Sequence, residues 1–328
     1  MDILINDFIA QIRFGEVQNH LNMQVIPLFS EQKETITYLT LKEALEKRLL
    51  TIREISRGGS VPELKVINMA DVPVLLLDGE ELAGAKQNRI LNTTILVNAR
   101  AEVIIPVSCT EQGRWSYRTE EFYDSGIVSH SSLRADKVSS VTISLKNSGT
   151  FRSNQSEVWE NVDRLSRAAN VQSATGAMRD VFEGKRETLE DYLKDFRYVP
   201  NQKGIFVLVD GEIAGWDILS RAATFENLYK KLIKSYAMDA LIKNEKKITL
   251  SRYPVEEARR FLEEILYCQV KKYPSTGLGE DYRFEGPGKV GSALVVEKQV
   301  IHMAFFKVGQ DEKIDPMSGY GDRRRYRI

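Results

Sequence analysis

One strand-turn-strand pattern occurs twice in this chain, and that doubling constrains the fold more than any other feature. VLLLDGEELAGA, from Val74, aligns with FVLVDGEIAGW, from Phe206, with one residue fewer in the second copy. Each reads as an apolar strand, a tight Asp-Gly turn whose glycine tolerates positive φ, and a returning strand. ALVVEKQVIHMAFF, from Ala293, is a weaker third echo. Asp-Gly between apolar strands is also the commonest hairpin signal, so coincidence stays open beside duplication. The two turns lead into different residues. Lys86, Gln87, Asn88 and Arg89 come after the first, and Trp216, Asp217, Ile218 and Leu219 after the second. If the repeat is real, one copy keeps a site while the other keeps only a fold.

Around these units the first half reads as strands with one helix. MQVIPLF is a strand, and Thr40 with Glu43 three residues on gives a capping box for a helix whose apolar face is Leu41, Ala44, Leu45 and Leu49. VPVLLL, ILNTTILV and EVIIPVSC come next as strands of an antiparallel meander. From Ser156 the period turns helical, through Val158, Val162, Leu165 and Ala169, and Thr188 to Phe196 opens on a second Thr-x-x-acid cap. Two longer amphipathic helices bury Phe225, Leu228, Tyr229, Leu232, Ile233 and Tyr236, and, after Pro254, Ala258, Phe261, Leu262, Ile265 and Leu266. Strands are expected at Ile205 to Val209 and Ser292 to Val296. The fold class is α+β: a largely antiparallel sheet with packed helices, built as two pseudo-repeated halves in one body. The expected boundaries are an N-terminal helix over 1–20, an integrated domain over 21–308 with halves 21–150 and 151–308, and a basic tail over 309–328.

Composition limits the function classes. The 328 residues carry 46 Lys and Arg against 46 Asp and Glu, so no broad basic face is available for nucleic acid. The exception is Arg323 to Arg327, RRRYR, a solvated tail or a short arm for an acidic or phosphorylated partner. No apolar run approaches the roughly 18 residues that cross a bilayer. The N-terminus lacks the basic start and unbroken apolar stretch of a signal peptide. Two cysteines, Cys109 and Cys268, point to a reducing cytoplasm rather than a disulfide framework. Three scattered His and two Cys leave no zinc or iron ligand set, whereas magnesium carried by a nucleotide stays open.

Asp78 to Thr94, DGEELAGAKQNRILNTT, gathers polar groups between two strands that ought to be buried. Glu80 and Glu81 point to opposite faces of the returning strand, so at most one faces a pocket shared with Lys86 or Arg89, and the other faces solvent. Arg offers a planar fork to phosphate or carboxylate oxygens and Lys a point charge, while Gln87, Asn88 and Asn92 donate and accept as a sugar or base edge requires. The plain alternative is a hairpin loop whose charges pair with each other. Ser108 to Trp115, SCTEQGRW, lies one strand later, and its Glu111, Arg114 and Trp115 read as a second wall of the same site. Cys109 reads as a buried thiol rather than a nucleophile, since no His is near it in sequence. Gly277 to Gly291 reads as a flexible loop, Asn154 as a helix cap and His302 as a satisfied core histidine.

VPVLLLDGEELAGAKQNRILNTTILV, the IPVSCTEQGRW after it and the later VDGEIAGWD together resemble the ADP-ribosylglycohydrolase and rhodanese-phosphatase-associated protein domain family, from about Val25 to Phe306. The matching motif residues are Asp78, Gly79, Glu80, Gly84, Ala85, Lys86, Gln87, Asn88, Arg89 and Asn92, then Cys109, Glu111, Gly113, Arg114 and Trp115. The resemblance implies a role in ADP-ribose or NAD-derived metabolism, by association with enzymes of that chemistry, and carries no catalytic residue across. On that expectation Arg89 and Lys86 hold a diphosphate, Trp115 stacks on a base, and Glu80 and Glu111 are the candidate catalytic carboxylates for hydrolysis of an N-glycosidic or phosphate linkage. Two rivals stand beside it: a non-catalytic nucleotide-sensing module serving a partner enzyme of ADP-ribose metabolism, and an assembly protein, homo-oligomeric or bound to that partner.

Overall fold

The computed structural model describes residues 2–56, 58–243 and 248–309, so the Arg323 to Arg327 tail lies outside the described residues. Among them are eight helices and 18 strands, paired antiparallel except for Leu39–Thr40 beside Val74–Leu76. The largest sheet has nine strands. Its central order is Met23–Ser30, Gly204–Val209, Glu212–Leu219, Gln299–Lys307, Lys289–Val296, Glu280–Gly286 and Gln269–Pro274, with Ile12–Phe14 and Gln18–His20 beside the first of these. Both faces are covered, which explains the unbroken apolar run at Ile205 to Val209. Alternation sends Phe206 and Leu208 to one face, under the helices Ile3–Ala10 and Pro254–Ile265. It sends Ile205, Val207 and Val209 to the other, under Ser131–Ser148 and Ala222–Ile242. The N-terminal helix covers Ile3–Ala10, and the chain up to residue 20 turns into two short strands.

A six-stranded sheet, ordered Phe122–Val128, Glu80–Gly84, Arg89–Leu91, Glu102–Cys109, Glu63–Asn68 and Leu50–Glu54, curls until its outer strands meet at the Arg53–Glu121 bridge. Its concave side holds a separate core of Leu50, Ile52, Leu64, Val66, Leu82, Leu91, Ile105, Val107 and Phe122. Three short strands, Leu39–Thr40, Val74–Leu76 and Ile95–Val97, form a third sheet.

The two Asp-Gly turns do different work. Asp210 and Gly211, at φ 52° and 74°, close a two-residue hairpin in which Val209 faces Glu212. Glu297 and Lys298 close the third echo the same way without glycine, at φ 49° and 65°. Asp78-Gly79 is a corner instead. Glu80 N donates to Leu77 O at 3.1 Å with Gly79 at φ 80°, and the strands on either side enter different sheets. A Cβ on Gly79 would sit 2.8 Å from Ser129 Oγ and 3.1 Å from Arg134 Cδ, so glycine is required for both φ and space. ILNTTILV likewise breaks at Asn92 to Thr94 into strands of two sheets rather than one meander strand. Gly277 to Gly291 is not a loop: it holds a hairpin between Glu280–Gly286 and Lys289–Val296. The Thr40 capping box forms, and Pro254 starts its helix. Thr188 caps nothing, because its helix already begins at Arg186.

Charges join the sheets where Asp78 meets the large sheet. Lys137 donates to one Asp78 oxygen and to Leu91 O at 2.7 Å, and Arg134 Nε approaches the other Asp78 oxygen at 3.4 Å. The Arg134 fork then grips Asp217 at 2.9 and 2.5 Å. Asp217 also accepts from Tyr236 at 2.7 Å and His302 Nε2 at 3.1 Å, and His302 Nδ1 lies 2.8 Å from Thr94 Oγ1. Beside it, Arg283 holds Asp281, which accepts from Thr93 at 2.6 Å. Three acids thus meet three bases, all buried. Burial would raise the Asp217 carboxyl, but Arg134 and His302 outweigh it and hold it far below the usual range. Burial pushes Lys137 down to about 8 despite Asp78, so it stays charged at neutral pH.

Breaking one partner of such a pair strands a buried charge, which costs about 3–5 kcal/mol. Asp217→Asn is expected to lower unfolding free energy by about that much in urea titrations. The joint replacement Arg134→Met with Asp217→Leu is expected to cost less than the two single changes summed; an Asp217→Asn loss under about 1 kcal/mol would contradict this joint.

Candidate functional site

Residues 78–94 and 108–115 do converge. Arg89 sits opposite Leu82 and Cys109 in the curled sheet, so by alternation it continues the concave row of Leu91 to one end of that core. Glu54 continues the row of Leu50 and Ile52 to the same end. Around this end Arg114 donates to Gly84 O, Ala85 O, Ser116 O and Asn88 Oδ1 at 2.6–3.3 Å and pairs with Glu111 at 2.6 Å. Glu111 also accepts from Asn88 N at 3.1 Å and Thr175 Oγ1 at 2.9 Å. Burial alone would raise its carboxyl, but Arg114, Asn88 and Thr175 bring it below the usual range. Gln87 Nε2 donates to Glu111 O at 2.9 Å, closing the two bends on each other. Glu111 and Arg114 are therefore occupied as a clasp.

Arg89 is different. It is 0 % exposed, and only Nη1 has partners, Gln87 Oε1 at 3.1 Å and Asn88 O at 3.4 Å. Nε and Nη2, the side-on edge of the guanidinium, are buried with no hydrogen-bond partner. Burial lowers the Arg89 pKa, against the pull of Cys109 and Glu54. Glu54 has the matching anomaly: Oε2 accepts from Ser60 N at 3.4 Å, while Oε1 is buried with no partner. Trp115 and Tyr117 form the lid. Both are about half exposed, at 48 % and 50 %, with Lys86 Nζ 5.0 and 5.2 Å from their ring centres and the Arg89 guanidinium 5.8 Å from Trp115. Lys86 Nζ donates to Gly58 O at 2.7 Å, which brings the segment at Gly58 and Gly59 over the same end.

The remaining residues singled out from sequence are engaged in other contacts. Glu80 is ion-paired to Lys231 at 2.7 Å and accepts from Leu77 N at 2.8 Å, rather than meeting Lys86 or Arg89. Glu81 does not face solvent. It is fully buried, accepts from Thr110 at 3.0 Å through one oxygen, has no partner on the other, and burial pushes its carboxyl up to about 7. Asn92 bonds Phe151 O and Ser108 Oγ, and Asn88 orients Arg114. Cys109 is buried with its thiol pushed up by burial. Among the described residues no group of three or more His, Cys, Asp or Glu could hold a metal ion, and no helix is long and apolar enough to cross a membrane. Sequence reasoning missed Glu54 and Tyr117. An acid at the core position of the alternation Leu50, Ile52, Glu54 was the available signal for the first; an aromatic two residues after Trp115 was that for the second.

Glu81 makes the pH dependence of stability legible. Its carboxyl titrates from about 7 when folded and near 4.5 when free, so the folded state holds the proton more tightly and loses stability as pH rises between those values. The full loss above pH 7 is about 3 kcal/mol by the usual conversion. Glu81→Gln, which mimics the protonated form, is expected to match wild type in urea near pH 4.5 and to exceed it progressively toward pH 8. Parallel curves at all pH would show that Glu81 ionises freely.

The chain matches the family described as ARG and Rhodanese-Phosphatase-superfamily-associated Protein domain over residues 11–306. No curated protein and no solved structure matches it.

Proposed function

Since the chain belongs to the ARG and Rhodanese-Phosphatase-superfamily-associated Protein domain family, named for the proteins it accompanies, we propose that it is a binding module that captures a phosphorylated nucleotide derivative for a partner enzyme. An ADP-ribose-like or NAD-derived nucleotide suits the groups available. The single observation that carries this reading is the Arg89 edge: two parallel N–H donors, buried and unpartnered, at a spacing that fits two oxygens of one phosphate. A buried guanidinium left so costs several kcal/mol unless something completes it. Glu54 Oε1 supplies an unpartnered acceptor for ribose hydroxyls, and Trp115 or Tyr117 a face on which a base can stack. Entry requires the half-exposed Trp115 and the Gly58 contact of Lys86 to give way.

Catalysis is the weaker reading. Glu80 and Glu111, the carboxylates offered for it, are both engaged by protein donors, so hydrolysis of an N-glycosidic or phosphate linkage would first need one of them released. Magnesium would arrive with the nucleotide, since its phosphates supply the oxygens that the ion prefers.

Calorimetry with ADP-ribose, NAD and inorganic phosphate tests the proposal. ADP-ribose is expected to bind, with Arg89→Lys weakening it at least tenfold because a point charge cannot replace the fork. Trp115→Ala is expected to cost about 1–3 kcal/mol, as loss of a base-aromatic stack does. No heat from any of the three compounds, or unchanged affinity in Arg89→Lys, refutes it.

A further inference from the structure

Residues 58–60 pass over the Arg89 end as a short strap. On one side Ser60 N donates to Glu54 Oε2 at 3.4 Å, and on the other Gly58 O accepts from Lys86 Nζ at 2.7 Å. Between these ties Gly59, at φ 78°, donates its N–H back to Ser56 O at 3.0 Å. Two glycines in a row give the strap the backbone freedom of a hinge. A Cβ on Gly58 would meet only Ser56 Oγ, at 3.6 Å, among the described residues, so that part of the strap is not packed in place.

Lys86 fastens more than the strap. Its ammonium lies 5.0 and 5.2 Å from the ring centres of Trp115 and Tyr117, within cation–π range. Its stem fills the space beside Gly59, where a Cβ would stand 3.2 Å from Lys86 Cδ and 3.2 Å from Trp115 Cζ2. The Lys86 side chain is buried, whereas the two rings are half exposed. One side chain therefore ties the strap to both rings, and Trp115 lies in turn 5.8 Å from the guanidinium of the wholly buried Arg89. Its bond is to a neutral carbonyl, and a phosphate oxygen is the stronger partner for an ammonium.

We propose that Lys86 is the latch of this site: while it is bonded to Gly58 O the strap and Trp115 close over Arg89, and a phosphate-bearing guest opens the way by drawing the ammonium off the carbonyl. The latch deepens the phosphate reading of Arg89 and rests on it, because it makes Lys86 the residue that sets access to the fork. Were the cover held by the rings alone, the bond from Lys86 to Gly58 would have no bearing on that access.

Phenylglyoxal modifies the guanidinium groups that it can reach, and peptide mapping of the full-length protein reads each arginine singly. In wild type Arg89 is expected to react slowly beside Arg118, whose side chain is 59 % exposed. Lys86→Met keeps the stem and loses the ammonium, and is expected to speed modification of Arg89 at least tenfold. Arg283, as deeply buried but held by Asp281 in the large sheet, is expected to stay slow. Gly59→Ala, which crowds the Lys86 stem and Trp115, is expected to speed Arg89 as well. An unchanged Arg89 rate in either folded variant, or an equal rise at Arg283, overturns the latch. Excess ADP-ribose is expected to slow modification of Arg89 in wild type and in Lys86→Met. Fast modification in Lys86→Met that ADP-ribose does not slow leaves the latch standing and overturns the phosphate reading, and the guest as trigger with it.

Discussion

The way the two larger sheets and the Ser131–Ser148 helix meet depends on desolvating Asp78, Arg134 and Asp217 together. None of the three can be buried alone, since an isolated ion in the interior costs several kcal/mol after relaxation. Their geometry must therefore be satisfied at once: the Arg134 fork on Asp217, its Nε toward Asp78, and Lys137 completing Asp78. Asp217 is in the middle of the large sheet, Arg134 on a helix over that sheet, and Asp78 on the corner from which the curled sheet starts. Satisfying the charges fixes how these three parts meet. Gly79 belongs to the same constraint, because any side chain there would push Arg134 off the corner.

The Arg89 edge is a second, opposite use of a buried charge. Arg134 and Arg283 both grip carboxylates, and Arg114 bonds one together with several carbonyls, whereas Arg89 keeps Nε and Nη2 buried without a partner although Glu54 is near enough to act on its charge. The cost is tolerable only because Gln87, Asn88 and the Glu111–Arg114 clasp hold the bend rigid around it. The mutual pairing of the two polar bends, which would argue against a site if it included every cation, is thus what keeps one of them unpaired.

How far the sequence could reveal this depends on where its polar residues lie. Elements with an apolar face or an unbroken apolar run were legible, among them the helices Ala222–Ile242 and Pro254–Ile265 and the strands Gly204–Val209 and Glu102–Cys109. The Ser131–Ser148 helix was not, because its buried face runs through Arg134, Lys137, Val138, Val141 and Leu145, and two cations erase the apolar stripe that marks a helix. The corner at Asp78-Gly79 was misread as a hairpin for a related reason. Turn chemistry fixes φ locally, but whether the returning strand pairs with its predecessor depends on Arg134 and Lys137, 56 and 59 residues away. The candidate site was legible in its bends and cations, since polar residues between buried strands are a local signal. Which of its cations would be paired was not, because Glu54 and Thr175 reach it from distant segments.

The Ser131–Ser148 helix is tied into the same framework at its start. His130 precedes its first turn, and the backbone N–H of Arg134 donates to His130 O at 3.1 Å. Ser131 and Ser132 are anchored to Asp239 on the Ala222–Ile242 helix, while Arg134 and Lys137 are anchored to Asp217 and Asp78. The start of this helix therefore cannot slide or turn without breaking buried ion pairs and hydrogen bonds to two other elements.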